Sequence, residues 1–276
     1  MLGDCIVWSD CWISLSQKNT KTMKNLISMF PESYSLKISG VLFVLILVTG
    51  RTDVEAQPVL TIYSDVAKNS VSDGLCIKSA LIGNYGLGNY QLKAALQTNL
   101  FNGRNTVLSG YRFEGSRGFK TKNTLLELSG FSIWTAYSDI LLETNYGCLA
   151  TMKTAHFDLQ LGTNCRTYSI RKSAIEKLEI ENVATKIHEN FNLMYLFGYN
   201  IKPANHNWNA GLAVTNMDYF MINQETNPYV NLKGFLKAGS AVRIFTEVWY
   251  KTAGALNMSS NYFGFLMRGG IVWNFN

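Results

Sequence analysis

Few groups in this 276-residue chain have the types and spacing to do chemistry. Three histidines occur, His156, His188 and His206, and His188 has the most promising neighbours. It stands in "KIHENFN" with Glu189 beside it and Glu225 further along. An imidazole works as a base only when a partner orients it and a nucleophile lies within reach. No serine motif accompanies His188, so it is expected to be a polar rim residue and the chain is not expected to be an enzyme. A rim-located hydrolase is the least supported reading. The cysteines carry no further chemistry. Cys5 and Cys11 lie near the start, and Cys76, Cys148 and Cys165 are too widely spaced for a disulfide framework or a zinc site. Gly-rich 83–88 reads as a turn and lacks the context of a phosphate loop. Neither a cofactor nor a metal is expected.

A second set of residues has a different potential. Charged side chains recur singly on the polar face of alternating segments. The basic ones are Lys78, Lys93, Arg112 and Arg166 in the first part, then Lys233, Lys237, Arg243 and Arg268. The acidic ones are Glu114, Glu127, Glu143, Asp158 and Glu247. Facing a common interior, such residues could select ions as charged rings do in pores, and the basic excess would favour anions. Opposite charges could instead pair across a small interior and fill it.

Positioning these residues on one face requires strands. Beyond Ala56 the dominant pattern is period two, with different residues on the two faces. In "FNLMYLFGYNIK", Phe191, Leu193, Tyr195, Phe197, Tyr199 and Ile201 oppose Asn192, Met194, Leu196, Gly198, Asn200 and Lys202. Read this way, the chain has twelve segments, near 59–67, 74–85, 89–101, 105–117, 124–135, 140–153, 155–168, 190–202, 207–216, 228–238, 241–251 and 261–275. Segments 59–67 and 124–135 alternate least well. Many segments reach ten residues, the length that crosses a membrane as a tilted strand of about 9–11 residues. Even-numbered connections are mostly short and the longest ones are odd-numbered, as in barrels with tight periplasmic turns and longer external loops. The polar face holds Asn, Gln, Gly and Thr rather than a dense Lys/Glu coat, which suits an enclosed lumen better than a soluble surface.

The stretch 169–190 has helical character, with Ile175, Leu178 and Val183 near helical spacing. It is expected to be an external loop with a short helix near 172–187, either folded into the mouth or capping it. "INQETNP" (222–228) and 251–261 read as polar external loops. Ahead of the strands, "ISGVLFVLILVTG" (38–50) is apolar, follows Lys24 and Lys37, and precedes small residues at Val54 and Ala56. It is too short to cross about 30 Å of hydrocarbon as a helix and reads as a secretory signal peptide spanning 23–56. Residues 1–22 fit no part of such a signal and read as a misassigned upstream start, with Met23 as initiator. The net charge of +6 is scattered rather than clustered, so nucleic acid is not an expected partner.

The signal segment, the alternating strands and the last segment ending "VWNFN" together resemble a Gram-negative outer-membrane β-barrel protein of porin-like architecture. The likeness spans 57–276. It implies an all-β fold, a closed antiparallel transmembrane barrel of about twelve strands in the cell outer membrane. It also implies outer-membrane lipid around the barrel and the barrel-assembly machinery as a partner during insertion. In "YFGFLMRGGIVWNFN", Phe263, Phe265, Met267, Ile271, Trp273 and Phe275 are expected to face lipid. Trp273 and Phe275 would form an aromatic girdle and insertion signal, while Arg268 and Asn274 face inward. Asn276 after Phe275 departs from the usual terminal pattern. The expected function is a narrow channel for small polar or anionic solutes. The alternative is a non-conducting barrel with an assembly, secretion or surface-interaction role.

Overall fold

Alternation gives each strand one face for hydrocarbon and one for the interior, and the backbone groups of such strands must all be paired where no water reaches them. In the computed structural model the described residues are 57–69, 75–99, 108–136, 141–177, 186–201, 207–251 and 262–275. The expected upstream start (1–22) and signal peptide (23–56) lie outside them. The chain divides into a unit Met1–Leu47 and a unit Val48–Asn276, and the second holds every described element.

The elements are β1 (Gln57–Asn69), β2 (Leu75–Leu87), β3 (Tyr90–Asn99), β4 (Leu108–Lys120), β5 (Leu125–Ala136) and β6 (Leu141–Lys153). There follow β7 (Phe157–Ile170), α1 (Lys172–Lys177), β8 (Lys186–Ile201), β9 (Trp208–Thr215), β10 (Tyr229–Lys237), β11 (Val242–Lys251) and β12 (Tyr262–Asn274). All twelve expected strands form, including the two that alternate poorly, with edges displaced by at most four residues. Each pairs with its sequence neighbours, and β12 returns to β1, closing the barrel. The seam is antiparallel and long, from Val59 opposite Asn274 to Ala67 opposite Leu266. Of the expected helix near 172–187, α1 forms at Lys172–Lys177, residues 178–185 lie outside the described ones, and Lys186 and Ile187 belong to β8 instead.

The connections β2–β3, β4–β5, β6–β7 and β10–β11 are tight, and Gly88 adopts a left-handed φ of 60° in the first of them. This is the turn end. The other end carries the longer connections and is the loop end. The β9–β10 connection differs from a polar external loop. Met217, Phe220, Met221 and Ile222 are buried, and each packs into a hydrophobic cluster supplied by the inner faces of surrounding strands. The segment has folded into the barrel.

Candidate functional site

The inward segment is held first at its neck. Asn216 and Asn223 sit side by side, with Asn223 N–H donating to Asn216 O at 2.6 Å and a bridge pairing Met217 with Ile222. Asn216 Oδ1 accepts from Tyr195 N–H at 2.9 Å, and its Nδ2 donates to Leu193 O at 2.7 Å, which fastens the neck to β8. Tyr229 donates its hydroxyl to Asn223 Oδ1 at 2.7 Å. Beyond the neck, Asp218 to Met221 forms a tight reversal closed by Asp218 N–H to Met221 O. Its apolar side chains reach different walls. Phe220 packs with Tyr63, Ala80, Ala95, Phe245 and Val272, whereas Ile222 and Met217 pack with Phe131, Ile133, Leu149 and Met194.

Three wall arginines then grip the segment. Arg112 on β4 donates to Tyr219 O at 2.8 Å and lies over the Tyr219 ring, 4.6 Å from its centroid. Arg166 on β7 donates to Ile222 O at 2.6 Å. Arg268 on β12 forms a two-toothed bond to Asp218, at 2.9 and 2.7 Å, and a second to Asp65 on β1, at 2.6 and 3.0 Å. Thr135 on β5 adds a hydroxyl donated to Phe220 O at 3.2 Å. A buried carbonyl without a donor is costly, so the wall supplies what water would otherwise give the segment's backbone.

Each arginine is also neutralised by the wall itself. Arg112 pairs with Glu114, which also takes Lys93 at 2.7 Å, and Lys93 lies 3.8 Å from Glu127. Arg166 lies 3.4 Å from both Glu143 and Glu189, and Asn145 accepts from its Nε at 3.2 Å. Arg268 additionally meets Glu247 at 3.4 Å. A guanidinium suits this double duty because its planar fork can address two acceptors at once. Lys78 stands opposite Asp65 in the β1–β2 ladder, and Asp158 opposite Lys153 between β6 and β7.

Apart from Lys78 and Asp158, placed by their ladder partners alone, the expected inward residues fall into two groups. Lys93, Arg112, Glu114, Glu127, Glu143, Arg166, Glu247 and Arg268 are drawn into three ion-paired clusters, and all of these clusters touch the inward segment through an arginine. Lys233, Lys237 and Arg243 are not; they stand on the inward register of β10 and β11 toward the turn end. The sequence reading missed Asp65, Asp218 and Asn145, and placed Glu189 with His188 at the rim rather than with Arg166. Asp65 and Asn145 were legible as alternate positions of β1 and β6. Asp218 was hidden because its segment was read as facing water. His188 is exposed, and its Nδ1 lies 3.0 Å from Thr167 Oγ1, while Glu189 turns toward Arg166.

Outside, the barrel is apolar. Ile62, Leu81, Leu96, Leu128, Leu161, Leu212, Ile244, Met267 and Ile271 all project outward and are exposed. Aromatic side chains collect at both ends of this band. At the turn end stand Phe119, Phe157, Tyr199 and Trp208, with Trp273 stacked on Phe275 at 5.1 Å. At the loop end Tyr111 stacks on Trp134 at 4.8 Å, and Tyr250 meets Phe265 at 4.9 Å. A closed barrel with an apolar outer band, aromatic rings at both edges and its charge turned inward is an integral outer-membrane β-barrel protein. Within that class, it is one whose lumen is crossed by a loop-end segment.

No protein-family model matches the chain, and no curated relative matches it in sequence. Among solved structures it is similar to the KdgM porin, with a TM-score of 0.49 and 12% identity over 79% of this chain and 99% of that one. The NanC porin matches with a TM-score of 0.46 and 10% identity, covering 78% and 98% of the respective chains. An outer-membrane channel from Pseudomonas putida F1 gives 0.44 and 9%, covering 82% and 97%.

Proposed function

We propose that the barrel is a narrow channel for small polar solutes, constricted by the inward β9–β10 segment. The observation that carries this is the contrast along the lumen. Around Asp218–Asn223 the interior is closely packed and ion-paired. Toward the turn end the inward residues Gln91, Lys93, Gln160, Asn200, Asn209 and Lys233 are polar and partly exposed, and in this reading they line a vestibule behind the constriction. A solute crossing the barrel would meet polar walls there and pass the segment at its narrowest level. Outer-membrane lipid surrounds the apolar band in this reading, and the barrel-assembly machinery inserts it.

One observation favours the non-conducting alternative: Phe220, Met221 and Ile222 join three separate hydrophobic clusters, so the segment braces the barrel from several sides. Planar-bilayer recordings separate the two readings. The native protein is expected to give small unitary steps. Replacing 218–222 with a Gly/Ser linker is expected to raise the conductance several-fold. Silence from both proteins, each folded and inserted, would remove the channel reading.

A further inference from the structure

Charge balance around the lumen is uneven, and three basic side chains on one wall stand apart from the ion-paired clusters. Arg112, Arg166, Arg268 and Lys93, around the segment, meet carboxylates, and Lys78 and Lys153 have Asp65 and Asp158 as ladder partners. Lys233, Lys237 and Arg243 form no ion pair among the described residues. Lys237 and Arg243 are directly opposite one another in the β10–β11 ladder, on the inward register. Like charges in that relation repel, and a sheet stabilised by its cross-strand pairs has no structural use for them. Lys233 stands opposite Glu247, but Glu247 accepts from Trp249 Nε1 at 2.7 Å and from Arg268 at 3.4 Å. The stem of Lys233 instead lies across Gly211, where a Cβ would meet both its Cε and Asn200 Oδ1 at 2.7 Å.

A second observation points the same way. Asn231, one inward step from Lys233 on β10, is only 4% exposed, yet its Nδ2 has no hydrogen-bond acceptor among the described residues. A buried amide donor aligned with three cations, of which Lys237 and Arg243 have no carboxylate opposite them and Lys233 faces Glu247 without an ion pair, makes a row of donors along one wall. Inward positions two apart on a strand are separated by about 7 Å, so the row from Asn231 to Lys237 runs about 20 Å down the vestibule.

We propose that this wall is a binding site for a multivalent anion, a small solute carrying two or more carboxylate or phosphate groups. The Lys237–Arg243 pair takes one group at the turn-end mouth. Lys233 takes another further in, with Asn231 Nδ2 offering a neutral donor beyond it. This inference rests on the channel reading and deepens it by naming the charge class of the solute, but its test does not require conduction.

The test is isothermal titration of the detergent-folded, full-length barrel with citrate, and separately with pyrophosphate, at low and at high chloride. Saturable binding that weakens with salt is expected for the native protein. Lys237→Gln/Arg243→Gln should weaken it at least tenfold, and Lys120→Gln, at the opposite part of the same rim, should leave it within twofold. All variants are first shown to be heat-modifiable on cold electrophoresis, and Lys233→Gln serves as a second variant if the double one misfolds. Absence of saturable binding by the native barrel would overturn the proposal, as would equal affinity in the Lys237/Arg243 variant or an equal loss in Lys120→Gln. Citrate binding by a barrel that stays silent both in its native form and with 218–222 replaced would remove the channel reading and leave the site standing.

Discussion

Arg268 is the residue on which the interior depends most. It bonds both oxygens of Asp65 and both of Asp218, meets Glu247, and lies 4.2 Å from the centroid of the Tyr63 ring. It therefore ties β12 to β1 across the seam and ties both to the inward segment. A buried pair contributes little when compared with apolar packing, but removing one partner leaves the others charged and unpaired, at a cost of about 3–5 kcal/mol. Arg268→Gln should therefore lower the unfolding free energy by about that amount. Arg268→Lys should lose less, because it keeps the charge while giving up the two-toothed geometry. Equilibrium urea unfolding in detergent, followed by tryptophan fluorescence, measures both. An unchanged midpoint for Arg268→Gln would show that the cluster is relaxed or hydrated. Reversing the charge at Arg166 or Arg268 should disturb the segment as well as any ion preference, whereas Arg243 lies away from the segment's contacts and reports on preference alone.

At the scale of elements, the strands were legible because a two-sided wall imposes period two on every residue. Even the weakly alternating β5 keeps Glu127, Ser129, Phe131, Ile133 and Thr135 on one face, buried, with Leu126 and Leu128 exposed on the other. The inward segment was not legible by that rule, since it belongs to no strand. Its signal was composition: "MDYFMI", 217–222, is too apolar for a loop that meets water, and reading began instead at the polar "INQETNP". The ion pairs were half-legible, because register supplies the wall partner and only folding supplies the segment. Close approach at the seam gives a sharper test of the element geometry. A Cβ at Gly270 would lie 2.6 Å from Tyr63 Cβ and 2.7 Å from the Phe245 ring, whereas one at Gly269, on the outer face, meets nothing within 4 Å. Gly270→Val should therefore overpack the inner seam at a cost of about 1–3 kcal/mol and reduce the heat-modifiable fraction. Gly269→Val, placed in lipid, should fold as well as the native chain. Equal behaviour of the two variants would mean that β12 does not close on β1 in this register.

The molecule as a whole inverts the arrangement of a soluble barrel, and that inversion has measurable depth. A strand of 13 residues is about 43 Å long, and at a tilt of about 45° it spans about 30 Å, the thickness of a hydrocarbon core. Ile62 lies near the middle of β1, is 52% exposed, and is flanked across the ladders by Leu81 and Ile271, both outward. Ile201 is equally outward, at 50% exposure, but ends β8 at the turn-end rim. A cation on the lipid face costs about 2–4 kcal/mol at the midplane and about 0–1 near the interface, where it can reach water. Ile62→Arg should therefore destabilise folding into phospholipid vesicles by about 2–4 kcal/mol, and Ile201→Arg by no more than about 1. Urea-titrated folding into vesicles, read by heat-modifiability and tryptophan fluorescence, gives both values. In a soluble barrel Ile62 would face water and Ile62→Arg would be nearly neutral, so small and equal effects at the two positions would overturn the membrane placement. A large effect at Ile62 alone fixes the depth of the band, and with it the level at which the Lys233–Lys237–Arg243 wall stands relative to the hydrocarbon core.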